Sequence, residues 1–108
     1  MKTTTIVTSL LDKRTITLCW VSFVRNPVKL TLPAKYVPEG QTPEEALNWA
    51  FRQFNRVDGK ELVERLKIKR PSLSVGDMVQ VDDQLYVCSF IGWDKPTEFQ
   101  TRLWNKTN

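Results

Sequence analysis

Apolar and polar side chains alternate most regularly between residues 77 and 90. There Met78-Val79-Gln80-Val81 and Gln84-Leu85-Tyr86-Val87-Cys88 flank the pair Asp82-Asp83. A period of two marks strands, and two such runs separated by two turn-forming residues predict a β-hairpin, with Gly76-Asp77 turning the chain into it. Val79, Val81, Leu85 and Val87 are then expected to be mostly buried. The first third of the chain is also strand-like. Residues 3–10 and 14–24 are rich in Thr, Ile and Val, and the polar segment 11–14 between them is short enough to close an antiparallel hairpin. Both parities of the second run are apolar after Leu18, so that strand is expected to be central and covered on both faces. Pro27 breaks it, and Val28, Leu30 and Leu32 alternate with Lys29 and Thr31 as a further short or edge strand ended by Pro33.

In the middle of the chain the period changes to 3.6. Thr42-Pro43-Glu44-Glu45 combines a capping residue, a proline suited to the first helical position and a glutamate that completes a capping box. Ala46, Leu47, Ala50, Phe51, Phe54 and Val57 follow on one stripe, which predicts a helix over 43–56. Asp58 and Glu61 repeat the capping logic for a shorter second helix bearing Leu62, Val63 and Leu66, ended before Ile68 because Pro71 forbids continuation. Residues 35–41 read as a loop, Gly92 to Pro96 as a turn, and Thr97 to Asn108 as a polar tail containing Phe99 and Trp104.

These elements predict one α+β domain over residues 1–108: N-terminal β-strands over 1–32, a helical segment over 42–67, the β-hairpin over 72–93 and the tail over 97–108. The antiparallel sheet, open or partly closed into a barrel, is expected to pack against one amphipathic helix and a second short helix. A chain of 108 residues, 41% apolar, has material for one modest core. It has no apolar run near the roughly 18 residues that span a bilayer and no apolar signal region at its start, so a soluble, cytoplasmic protein without a membrane partner is expected. Cys19 and Cys88 are isolated within apolar runs, the usual setting of a buried thiol.

The net charge of +4 is unevenly spread. Arg52, Arg56, Lys60, Arg65, Lys67, Lys69 and Arg70 face Asp58, Glu61 and Glu64 within residues 52–70, an excess equal to that of the whole chain. Residues 71–94 hold Asp77, Asp82, Asp83 and Asp94 and no cation. The adjacency is either an interaction surface with two signs or compensation within the fold.

Catalytic chemistry finds little to build on. The chain has no histidine, which removes the commonest general base, its pairing with Ser or Cys, and the commonest transition-metal ligand. Two lone cysteines make no zinc site, and the four glycines lie too far apart for a phosphate loop. Asp82-Asp83 needs no explanation beyond a turn. No catalytic residue, metal or cofactor is therefore expected. Binding chemistry has more to offer. On the first helix Trp49 lies off the apolar stripe with Arg52 and Arg56 three and seven residues on, a set able to stack a base, grip phosphate or anchor a protein. Lys67, Lys69 and Arg70 would extend it into a basic face. Otherwise the Trp49 ring covers a loop with the arginines stacked upon it. Trp93 and Trp104 form a second candidate adhesive surface, or cap the end of the sheet.

The landmarks Phe54-Asn55-Arg56-Val57-Asp58-Gly59, Arg70-Pro71-Ser72-Leu73-Ser74-Val75-Gly76-Asp77-Met78-Val79, Val81-Asp82, and Tyr86-Val87-Cys88 ahead of Gly92-Trp93 carry a resemblance. Over about residues 45 to 94 the chain resembles small uncharacterised proteins encoded by bacterial phages, plasmids and integrated elements. That resemblance implies an accessory role on a mobile element and brings no reaction or site residue with it. The expected function is a non-enzymatic protein-interaction or regulatory module with a protein partner. The alternative is a nucleic-acid-binding module using the basic segment 49–70. The candidate surface is Trp49, Arg52, Arg56, Lys67, Lys69, Arg70 and Trp93.

Overall fold

Every residue of strand β1 (Ile16–Trp20) is buried, so both of its faces need cover. Both of its edges are also paired. β2 (Val28–Thr31) lies antiparallel on one side, with Leu30 opposite Leu18 and Lys29 opposite Cys19. β3 (Met78–Val81) lies antiparallel on the other, with Val79 opposite Leu18 and Met78 opposite Cys19. β4 (Gln84–Cys88) returns from β3 through Asp82-Asp83, where Asp82 takes the left-handed backbone (φ 56°) that aspartate tolerates better than most residues. A two-residue strand, β5 (Trp93–Asp94), completes the order β2-β1-β3-β4-β5. The computed structural model describes residues 14–22, 24–55, 67 and 72–107. Among them the sheet is antiparallel throughout and open rather than closed into a barrel, and with its helices it makes the α+β fold that the sequence predicts.

β2 and β3 hold the two sides of β1. The strand expected over residues 3–10, and the second helix expected over 58–66, lie outside the described residues. β1 is shorter than the expected 14–24. After Trp20 the amides of Val21 and Ser22 leave the ladder and donate instead to one carboxylate oxygen of Asp77, at 2.7 and 2.8 Å.

Alternation sends Ile16, Leu18, Trp20, Val79 and Val81 to one face of the sheet. Helix α1 (Pro43–Asn55) covers that face with Ala46, Leu47, Ala50 and Phe54, the Phe54 ring meeting Trp20 edge-on at 5.5 Å. Its start is the expected capping box. The Thr42 amide donates to the Glu45 carboxylate at 2.8 Å and the Glu45 amide to the Thr42 hydroxyl at 3.1 Å. Hydrogen bonding to Thr42, through its amide first and then its side chain, holds the Glu45 carboxyl below its ordinary value, so its contribution to stability is present at neutral pH and lost as pH falls through that lowered value. At the far end of α1 the Asn55 side chain accepts the Leu73 amide at 2.9 Å and donates to the Leu73 carbonyl at 2.5 Å, fixing buried Leu73 in the core.

The opposite face carries Cys19, Met78 and Val87, and it is covered by what the sequence reads as a tail. Residues Glu98–Lys106 form a second helix, α2. Thr97 caps it, accepting the Gln100 amide at 3.1 Å while the Gln100 side chain accepts the Thr97 amide at 2.8 Å. Trp104 is buried against the sheet and the Lys29 ammonium sits 4.1 Å over its ring. The molecule thus has three layers, α1, sheet and α2. The turn expected at 92–96 lies earlier, at Ser89 to Gly92, and Trp93 belongs to a strand. In the β3–β4 hairpin Val79, Val81 and Val87 are buried as expected and Leu85 is half-buried.

Trp104→Ala should lose about 3–5 kcal/mol in urea unfolding followed by circular dichroism, since it empties the whole anchor of α2. Phe99→Ser on the same helix, 67% exposed, should stay within about 0.5 kcal/mol of the parent. Equal effects from the two would refute the placement of α2. Asp77→Ala should cost about 3 kcal/mol or more, because it strands the amides of Val21, Ser22 and Ser74 together. A melting temperature within a few degrees of the parent would show that Asp77 does not hold the sheet together.

Candidate functional site

The turn between β4 and β5 displays the most exposed large apolar side chains among the described residues. Phe90 and Ile91 are each 92% exposed. Their backbone is nevertheless tightly held. The Ser89 hydroxyl lies 3.0 Å from both the Ile91 and the Gly92 carbonyl oxygens, and the Ser89 amide donates to the Gly92 carbonyl at 3.1 Å. Gly92 supplies the positive φ of 78° that closes the turn, with no side chain in the way.

Beside the turn, a cavity of about 190 Å³ opens between it and α1. Phe51, Phe90 and Trp93 give it aromatic walls, and Asn48, Cys88, Ser89 and Gly92 complete the lining. Trp93 is fixed in place from two directions. Its indole N–H donates to the Asn48 side-chain oxygen at 3.0 Å, and its ring meets Phe51 edge-to-face at 6.2 Å. A rigid aromatic wall and two hydrated apolar side chains therefore share one end of the sheet.

The residues singled out from the sequence are dispersed by comparison. Trp49 is half-buried and packs on the α1 core, so its ring is no open stacking platform. Arg52 and Lys67 are exposed, whereas Arg56, Lys69 and Arg70 lie outside the described residues. Trp93 is a cavity wall and Trp104 a buried anchor, so the two do not share an adhesive surface. The acidic block is also broken up. Asp77 is buried on three amides, and Asp82 pairs with Arg14 at 3.3 Å, leaving Asp83 and Asp94 exposed at opposite ends of β4. That Arg14 also donates to the Gln41 carbonyl at 2.6 Å, which engages the one cation bordering a larger cavity of about 350 Å³ at the loop 38–41. No group of three acidic, Cys or His side chains able to hold a metal ion occurs among the described residues, and no described helix is long and apolar enough to cross a membrane.

The Phe90-Ile91 pair is the feature that sequence reasoning missed. Alternation extends through Phe90 as if it were a strand residue, although Ser89 and Gly92, three positions apart, bracket a four-residue turn.

The two thiols stand on opposite faces of the sheet, Cys19 opposite Met78 under α2 and Cys88 opposite Trp93 under α1, and they are not bonded to each other. Burial pushes the Cys19 thiol up to about 11, and burial, then the charge of Asp77, raises that of Cys88. The stability that neutral Cys19 lends is present below its ordinary value of 9.0 and is lost as pH rises through about 11. Iodoacetamide near pH 8 (about the value at which a free thiol begins to ionise) should label native protein slowly, Cys88 before Cys19 because it borders the cavity, and both at once after unfolding. Fast, equal labelling of native protein by peptide mass mapping would contradict this burial.

Comparison of the chain with family models, with curated proteins and with solved structures gives no match in any of the three.

Proposed function

We propose that this protein is a non-enzymatic interaction module that docks another protein through the Ser89–Gly92 turn. One observation carries the reading: two large apolar side chains are held almost wholly in water by a turn whose own hydrogen bonds give it little freedom. Scattered exposed apolar residues are ordinary, but an adjacent pair beside an aromatic-walled cavity is the kind of patch that marks a binding surface. Water leaves such side chains with a gain of about 1.5–3 kcal/mol each when a partner buries them. A turn already fixed in shape loses little entropy on docking, so more of that gain appears as affinity. The mobile-element setting rests on the resemblance over residues 45–94, and the cytoplasmic one on the isolated cysteines within apolar runs. The absence of histidine from the chain, and of a cluster of acidic and Cys side chains among the described residues, supports a binding role over a catalytic one.

Against a nucleic-acid role stands the position of Trp49. With that ring packed on the core, Arg52 stands without the stacking surface that a base would use. Binding of a labelled DNA or RNA oligonucleotide at physiological salt should be weaker than about micromolar by fluorescence anisotropy. Tighter binding, abolished by Arg52→Glu, would make the nucleic-acid reading the better one. For the docking reading, immobilised full chain should retain a bacterial protein from a nuclease-treated lysate. The doubly substituted Phe90→Ser, Ile91→Ser chain, equally stable within about 0.5 kcal/mol, should not. Equal retention by both would remove the turn from the site.

A further inference from the structure

We propose that the cavity between α1 and the β4–β5 turn is a binding site for a small uncharged aromatic molecule carrying one hydrogen-bond acceptor, phenol being the simplest of the class. The inference goes beyond the docking reading and does not depend on it. The sheet builds one side of the site. Cys88 and Trp93 are cross-strand partners, so their side chains leave the sheet together toward α1. Asn48 and Phe51, three residues apart on α1, face them, and Phe90 adds a wall from the turn. Size agrees. A dry cavity of about 150 Å³ takes up benzene, and the 190 Å³ here admits the same ring with an oxygen attached.

The lining selects the ligand in three ways. The Phe51 and Trp93 rings stand at 87° to each other, so a third ring seated in their corner lies flat on one and presents its edge to the other, the two geometries that aromatic pairs favour. No lining residue is ionised at neutral pH, since all but Cys88 are uncharged types and burial holds the Cys88 thiol protonated. A carboxylate or ammonium placed here would lose its water and gain no counter-charge. The hydrogen-bonding group is fixed by Trp93. An indole N–H can only donate, so Asn48 turns its oxygen to Trp93 and keeps its amide nitrogen as a donor for the ligand's acceptor. Water among three aromatic rings has few partners, so the ring displaces it with a gain.

Titration of phenol into the isotope-labelled full chain, followed by assigned NMR spectra, tests this. The Trp93 indole N–H resonance should shift and saturate, with a dissociation constant on the order of 1 mM. Cyclohexanol, of similar size but not planar, and benzoate, planar but charged, should each bind at least about five-fold more weakly. Phe51→Leu, which keeps an apolar side chain and removes the corner, should weaken phenol binding to a similar degree. Phe90→Ser, at an exposed position that leaves the core intact, should weaken it about three-fold, and Phe99→Ser on α2 should bind as the parent does. A second readout is chemical. Phenol at about ten times its dissociation constant should slow iodoacetamide labelling of Cys88 at least about three-fold and leave Cys19, on the opposite face, unchanged. No saturating shift of the Trp93 resonance below about 20 mM phenol would overturn the proposal. So would cyclohexanol or benzoate binding as well as phenol, parent-like affinity in both Phe51→Leu and Phe90→Ser, or a Cys88 labelling rate indifferent to phenol. Turn-dependent retention of a foreign protein by a chain that binds no phenol removes the ring site alone. Phenol binding by a chain that retains no foreign protein removes the docking reading alone.

Discussion

One buried carboxylate sets the register on which the layers depend. Asp77 is 1% exposed, and its two oxygens accept the amides of Val21, Ser22 and Ser74. Its own backbone completes the junction, the Cys88 amide donating to the Asp77 carbonyl at 2.9 Å. The end of β1, the entry to β3 and the end of β4 thus meet at one residue. A charge in such a place is tolerable only where donors replace the water it has lost, and three oriented amides do so. Because side chains alternate with a period of two, this anchorage fixes more than position. It sets Met78 opposite Cys19 and Val79 opposite Leu18, and a slip by one residue would turn Val79 and Val81 away from α1. Gly76 is held to the same junction. At φ 97° it takes a shape that side chains disfavour, and a Cβ there would lie 2.9 Å from the Ser22 hydroxyl.

A sheet whose central strand is apolar on both faces demands two covers, and the chain supplies them from opposite sides of the hairpin. α1 has thirteen residues, an apolar stripe and a strong cap. α2 has nine and could not persist alone in water. What holds α2 is its capping box together with a single large anchor, Trp104, pinned between the sheet and the Lys29 ammonium. Lys29 can serve there because it lies opposite Cys19 on the edge strand β2, which sets its side chain on the α2 face.

This explains which parts of the structure are legible in the sequence. The hairpin, the buried β1 and the capped α1 each announce themselves through many residues that agree: alternation about Asp82-Asp83, two apolar parities together, and a stripe preceded by Thr-Pro-Glu-Glu. α2 is readable only from Thr97 and Gln100, since Phe99, Leu103 and Trp104 give it too thin a stripe to separate it from a polar tail. Asp77 and Asn55 look like ordinary turn and helix residues, because their partners lie 55 and 18 positions away and no local pattern reports them. Trp49 is half-buried on the core rather than open for a related reason. A helical wheel fixes the direction in which a side chain leaves the backbone, but an indole is large enough to lean back onto the core from the margin of the stripe.

Under the proposed docking role, the turn at residues 89–92 is more than a connection between two strands. A loop that merely connects two strands has no need of apolar side chains at its tip, and four polar residues would close it with less cost in water. Here Ser89 and Gly92 close the turn, and the Phe90 and Ile91 side chains remain 92% exposed. Behind them the Asn48–Trp93 hydrogen bond and the Phe51 ring join the turn to α1, so the tip inherits the rigidity of the helix and the sheet together. On the docking reading proposed above, side chains this exposed, on a backbone held from two elements, would meet a partner outside the fold.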